Sequence, residues 1–493
     1  VTPQPETGTS CSDQPAATDA KKQLKRVMGL WDVLLFNVAA VLGPRWIAAA
    51  AHNGTSSMSL WVLAALLFFL PTAFVVIELS TRFPHEGGLY VWSKEAFGEF
   101  HGFVAGWTYW VYTFFYFPGL LMASAAMGAY IGGNGAAFLA QNRTFLLCAS
   151  VGLLFIAVLL NIVGLDVGKW LQNAGGVGTY LPMAMLVGMG AYIWWTRGSV
   201  THFTAANIMP HWNWDTVNFW PQIAFAFTGM ELVATMSEEI RDPRRTFPRA
   251  TFGSGISIAI MYMLGTMAVL AILPAETVDP KSGVFGALAA GSAMLGVGFF
   301  GISAAAMTAV GNAGGIGTTV AGIARVPFVA GIDRYLPSAF GKIHPKWSTP
   351  WVSILVQAGI SCAILLLIQL NESANSAYQI LVDCGTILNF IPFLYMYAAA
   401  IKLLNRPDRE TNKNAVLIPG GKFGVWLAGS LGFAVVLLGI ALSMVPPGES
   451  TNKWVFEGKV IGGTALFVFI GLALYWRGVR QKANEPAPMA KAT

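Results

Sequence analysis

Three charged side chains stand deep inside apolar runs of this chain: Arg45, Glu231 and Asp383. A charge at bilayer depth costs about 2.5–3.5 kcal/mol, so such residues pair with one another or mark the path of a polar solute. Two of the three sit beside a helix breaker. VLGPRWIAAAAHNG, residues 41–54, places Gly43, Pro44 and Arg45 in the middle of the first apolar run. AFTGMEL places Thr228, Gly229, Met230 and Glu231 in the middle of the sixth. Unwound backbone is tolerated at that depth only where it is buried in protein or lines a cavity. It leaves free N–H groups at one half-helix end and free C=O groups at the other. That chemistry suits a zwitterion, with its carboxylate on the amides and its ammonium on the carbonyls. No nucleophile–base pair or metal cluster stands within the apolar runs, so an enzyme is not expected.

The elements that must carry these residues are membrane helices. Of 493 residues, 55% are hydrophobic and 11% charged, against about 25% charged in soluble chains. A spanning helix needs roughly 20 apolar residues. About twelve such windows occur, near 30–51, 60–81, 103–131, 144–164, 172–195, 217–240, 251–273, 295–328, 350–369, 375–403, 423–446 and 455–477. Strands of a membrane barrel would alternate over about 10 residues, and these runs do not. The expected fold is all-α and integral to the bilayer. Residues 1–26 and 481–493 are polar and without periodicity, and are expected to be unstructured cytoplasmic tails.

The formal charge of +6 invites a nucleic-acid reading, but its placement is topological. With a cytoplasmic N-terminus, 24 of the 30 Lys and Arg residues fall on the inner side. Only Arg143, Arg197, Lys281, Lys453 and Lys459 fall outside, with Arg45 left over. This is the positive-inside pattern; it places both termini in the cytoplasm and the protein in the plasma (inner) membrane, and no nucleic-acid partner is expected. Four cysteines and six histidines show no metal-ligand spacing, and no cofactor or metal is expected. Glu78 lies near the inner end of the second span, where hydration is expected.

The two breaks are offset by five spans, from the first run to the sixth. Interruptions at corresponding positions of two halves point to an inverted-repeat transporter whose substrate sits at the unwound segments. The surrounding residues then carry a resemblance. FAFTGMELVATMSEEIRDPRRTFPRA, residues 225–250, resembles the helix 6 signature of the amino acid–polyamine–organocation (APC) transporters. ARVPFVAGIDRYLPSAFGKIHPKWSTPW, residues 324–351, is similar to that family's connection between helices 8 and 9. ELSTRFPHEGGLYVWSKEAFGEFHGFVAGW, residues 78–107, is similar to the region between its helices 2 and 3, with wording nearest the glutamate/GABA antiporters. The resemblance implies a leucine-transporter-like 5+5 inverted repeat over 27–403 and two further helices over 404–480. It also implies a lipid-embedded monomer or homodimer that moves amino acids by alternating access.

Carried over position by position, the resemblance implies a binding site. The family's helix 1 break reads G-S-G, with amides that hold the substrate carboxylate; here the matching residues are Gly43, Pro44 and Arg45. Pro44 has no N–H to donate, and Arg45 fills a place usually kept small. Phe225 matches the aromatic lid, while Phe225, Thr228 and Ala40 would supply carbonyls to the ammonium, beside Gly229. Thr386 matches a small polar pocket position, and Tyr112 and Tyr116, one turn apart, either line the pocket or pack. Glu231 stands where the family's glutamate is usual. Two readings of Arg45 stay open. Its planar guanidinium takes over carboxylate binding, or it pairs with Glu231 or Asp383 as a structural or gating pair. The lysine that some members carry in helix 5 is absent near Thr179–Leu181, and Thr318-Thr319 could offer oxygens to sodium. Exchange of neutral or acidic amino acids is therefore the expected activity, with carboxylate-based proton coupling as a second possibility. A transporter-like sensor and a cation transporter on the same fold are the alternatives.

Overall fold

The computed structural model describes residues 28–484 except 86, 164, 211–213, 328–334, 348, 372–373, 408, 410–411, 413–414 and 447–452. The tail expected over 1–26, and 485–493 of the second tail, lie outside the described residues. Pro44 sets the first break. It occupies the first position of a helix, where its missing N–H costs nothing. It also drives Gly43 before it into an extended conformation, φ −114° and ψ 117°. Helix α1 (Leu30–His52) is therefore two pieces, α1a (Leu30–Val41) and α1b (Pro44–His52), joined by extended Leu42 and Gly43.

The second break has a different cause. Helix α6a (Trp214–Phe225) ends in a tight turn, and Gly229 at φ +115° opens α6b (Met230–Glu239), a 3-10 helix. A β-carbon at Gly229 would also lie 3.2 Å from the Val41 side chain and 3.4 Å from the Ala40 carbonyl oxygen. Only glycine meets both demands, and the two breaks consequently touch.

Around these stand α2 (Ser57–Arg82), α3 (Glu99–Gly128), α4 (Arg143–Val163), α5 (Leu165–Arg197), α7 (Pro243–Ile272) and α8 (Phe299–Ile323). They are followed by α9 (Trp351–Asn371), α10 (Ala374–Lys402), α11 (Gly421–Ser443) and α12 (Lys453–Asn484). Among the described residues eleven helices are long and apolar enough to cross a membrane, and no strand occurs. The remaining expected span is α6, whose halves are each too short once the break divides them. α7 begins at Pro243, well before the expected residue 251, because Pro243 again takes a first helical position.

Small residues set the helix spacing. A β-carbon at Gly175 of α5 would lie 2.5 Å from the Gly314 Cα of α8, and one at Gly315 would lie 2.8 Å from the Ala39 carbonyl oxygen of α1a. The backbones of α1, α5 and α8 thus approach closely, as small-residue packing in membranes allows. Beyond α7, Asp279 gathers the amides of Lys281 and Ser282 and the amide nitrogen of Gln141. Burial works against its charge, but Lys281, 3.3 Å away, and those amides hold the carboxyl below its ordinary range.

Glu78 departs from expectation. It is 3% exposed rather than hydrated. Arg409 donates to it from Nε at 2.8 Å, Arg82 from 3.1 Å, and the Ile418 amide from 2.9 Å. Thr81 accepts the Val416 N–H at 3.0 Å and Arg82 reaches the Leu403 carbonyl at 3.0 Å. The connection between α10 and α11 folds back onto the end of α2 and buries its carboxylate.

Candidate functional site

The site grows from the two breaks and one residue that joins them. Tyr262 of α7 stacks on Trp61 of α2, with ring centroids 4.4 Å apart. Its hydroxyl accepts the Gly43 N–H at 3.2 Å and lies 2.5 Å from the Val41 carbonyl oxygen and 3.0 Å from that of Ala226. One hydroxyl therefore satisfies broken backbone from both α1 and α6. Gly43 itself packs under the Trp46 indole, 2.8 Å from where a β-carbon would stand. With the Gly43 N–H bound to Tyr262 and no N–H on Pro44, neither of these positions has an amide left for a carboxylate in this conformation. Tyr262→Phe should destabilise the protein by about 1–3 kcal/mol, since it strands buried backbone groups. Denaturant titration of the detergent-solubilised protein measures this; a variant as stable as the parent would refute the tie.

At the α6 break, Glu231 is fully buried. One carboxylate oxygen accepts the Gly229 N–H at 2.9 Å and the other accepts the Tyr109 hydroxyl of α3 at 2.8 Å. Glu231 thus caps the start of α6b, where a negative charge meets the positive helix end. Thr228 donates to the Phe225 carbonyl through both its N–H (3.0 Å) and its hydroxyl (2.8 Å). Both lone pairs of that carbonyl are engaged, so an ammonium on Phe225 would first need Thr228 to release it. Asn389 of α10 donates to the Thr228 hydroxyl at 3.3 Å. Thr386, one turn earlier, turns its hydroxyl back to the Val382 carbonyl at 2.8 Å; the reach of α10 toward the break comes from Asn389.

Phe225 is the hub of an aromatic cluster. Its ring lies 5.5 Å from Trp46, 6.4 Å from Tyr112, 6.0 Å from Tyr116 and 6.2 Å from Phe390. Arg45, 2% exposed, lays its guanidinium carbon 4.3 Å from the Trp46 centroid and 4.8 Å from that of Tyr116. Such cation–π contacts contribute about 2 kcal/mol when desolvated. Neither expected ion pair forms in this conformation: among the described residues no carboxylate pairs with Arg45. Glu231 is engaged as above, and Asp383, 4% exposed, accepts from Gln379 at 3.0 Å. Beside Arg45 lies a cavity of about 20 Å³, room for about one water, lined by Ala40, Gly43, Arg45, Tyr116, Thr179 and Asn312. The break is closed around it, well short of the hundreds of Å³ that a whole ligand occupies.

Of the residues singled out from sequence, the structure gathers Ala40, Gly43, Pro44, Arg45, Tyr112, Tyr116, Phe225, Thr228, Gly229 and Glu231 at the two breaks. Trp46, Tyr109, Tyr262, Asn312 and Asn389 were not anticipated. Trp46 and Asn312 carried a readable signal: one follows the break, and the other is an amide within an apolar span.

A bundle in which two helices break opposite each other, with a polar cavity at the breaks, defines a solute transporter of leucine-transporter-like architecture. MhsT, solved in complex with L-phenylalanine, shares the fold: the TM-score is 0.64 at 13% identity, covering 84% of this chain and 98% of that one. Over residues 28–466 the sequence matches the amino acid permease family, and the chain belongs to that family, within the APC superfamily. An uncharacterized transporter of Legionella pneumophila is 29% identical over 450 residues, covering 90% of this chain and 96% of its own. The serine/threonine exchanger SteT of Bacillus subtilis is 28% identical, covering 80% and 87%. The probable agmatine/putrescine antiporter AguD of Lactococcus lactis is 24% identical, covering 94% and 97%. The chain is a multi-pass membrane transporter of amino acids or similar small molecules.

Proposed function

We propose that the protein exchanges neutral or acidic amino acids by alternating access, with the substrate carboxylate held on Arg45. The observation that carries this is a buried guanidinium, flanked by two aromatic rings, that faces a cavity at the helix break and pairs with no described carboxylate. A planar fork of donors matches a carboxylate bidentately, and it repels the dications agmatine and putrescine that the name of AguD specifies. The zwitterions named for SteT fit it. The Phe225 cluster would close over the substrate and part to release it.

The positive-inside distribution supports cytoplasmic termini in the plasma (inner) membrane. A thermal-shift screen of the purified protein against amino acids and amines would select ligands. Efflux of a radiolabelled hit from proteoliposomes should then accelerate when the unlabelled compound is added outside. Efflux indifferent to external substrate would indicate uniport, and binding without flux would indicate a sensor.

A further inference from the structure

Asn312 lies in α8, well inside the apolar span Phe299–Pro327, and is 5% exposed. Its amide nitrogen has one hydrogen-bond partner among the described residues, the Met127 thioether sulfur at 3.5 Å, which is a weak acceptor. A buried amide whose N–H groups meet only so weak an acceptor gains little from the contact and has more to gain from a charged one. Asn312 lines the same small cavity as Arg45. Two buried donors, one held by a thioether and the other by aromatic faces and the Tyr378 hydroxyl, thus line one space.

The rest of the wall decides what fits. Thr179 gives its hydroxyl proton to the Gly175 carbonyl at 2.9 Å and has none for an anion. Gly311 and Gly315, on either side of Asn312, carry no side chain and let α5 and α1a approach: β-carbons there would lie 2.5 Å from the Thr179 hydroxyl and 2.8 Å from the Ala39 carbonyl oxygen. Arg45 and Asn312 are donors on this wall, with the Tyr116 hydroxyl beside them; the charge is positive, and the closed space, with room for about one water, must widen to admit a carboxylate.

We propose that Asn312 and Arg45 together form a carboxylate subsite between α1, α3, α5 and α8, replacing the amides lost at Gly43 and Pro44, with Asn312 as a specificity residue. The proposal rests on the reading that Arg45 binds the substrate carboxylate. An uncharged amide beside the guanidinium adds a directed donor without neutralising it, whereas an acid there would take the guanidinium for itself.

The test measures binding of an amino acid identified by the thermal-shift screen, and of its carboxamide, to purified parent protein and to Asn312→Ala, Asn312→Ser, Asn312→Asp and Arg45→Ala. Asn312→Ala should weaken the amino acid about tenfold, as expected for one hydrogen bond to a charged group, and leave the carboxamide within about twofold. Asn312→Asp should weaken the amino acid at least as much as Arg45→Ala does. If Asn312→Ala fails to fold, Asn312→Ser carries the same expectation with a smaller loss. Full affinity in Asn312→Ala or Asn312→Ser, alongside lost affinity in Arg45→Ala, would overturn the subsite and leave the Arg45 reading standing. Full affinity in Arg45→Ala would overturn both.

Discussion

Arg45→Ala should abolish measurable binding of carboxylate-bearing substrates while leaving the protein well folded. Truncating one side of a buried, hydrogen-bonded charge pair costs about 2–5 kcal/mol, roughly 30-fold to several thousand-fold in Kd. The fold should hold because no described carboxylate is left unpaired when the guanidinium goes, and the desolvation relieved by removing a buried charge offsets part of the lost cation–π contacts with Trp46 and Tyr116. Arg45→Lys keeps the charge but loses the planar fork and the stacking on Trp46 and Tyr116, so its affinity should fall between the two. Equilibrium binding and thermal unfolding, measured on the same preparations, separate the alternatives. If Arg45→Ala were instead strongly destabilised, and Glu231→Gln or Asp383→Asn restored it, Arg45 would be a structural pair formed in another conformation of the cycle.

The largest loss of stability should come from Glu78→Ala. Glu78 accepts from Arg82, Arg409 and the Ile418 amide, and both arginines are buried, at 5% and 6% exposure. Removing one member of a buried ionic cluster destabilises by about 3–5 kcal/mol because it leaves charge uncompensated. Replacing the carboxylate and Arg409 together by leucines should recover part of that loss, since it removes one of the two stranded arginines and leaves Arg82 without its carboxylate. Thermal unfolding in detergent would show this as a large drop for the single variant and a partial return for the double. A single variant as stable as the parent would mean that the cluster contributes little.

What could be read from sequence was local. Pro44 and Gly229 announce the breaks because proline and glycine constrain the backbone wherever they occur. Arg45 and Glu231 announce the site because charge at that depth needs a reason. Residues whose role comes from a distant partner stayed hidden. Tyr262 reads as one more aromatic of an apolar run, yet it bonds Gly43, 219 positions away. Glu78 reads as hydrated because nothing in its neighbourhood of sequence shows that Leu403, Arg409, Val416 and Ile418 return to cover the end of its helix. Glu231 looked like a partner for Arg45 by depth and sign alone, but Tyr109 and the Gly229 amide claim both its oxygens.

The covering of Glu78 also bears on how the architecture divides. Read as a string, the chain separates into a ten-helix transport core and two appended helices. The α2 carboxylate takes part of its partnership from Arg409 and Ile418, which belong to the connection leading into the appended pair. A chain shortened after α10 would retain every residue at the breaks and still lack the groups that keep the end of α2 closed. The groups that keep Glu78 covered thus lie beyond α10, and designs that graft or trim the last two helices must bring Leu403, Arg409, Val416 and Ile418 along.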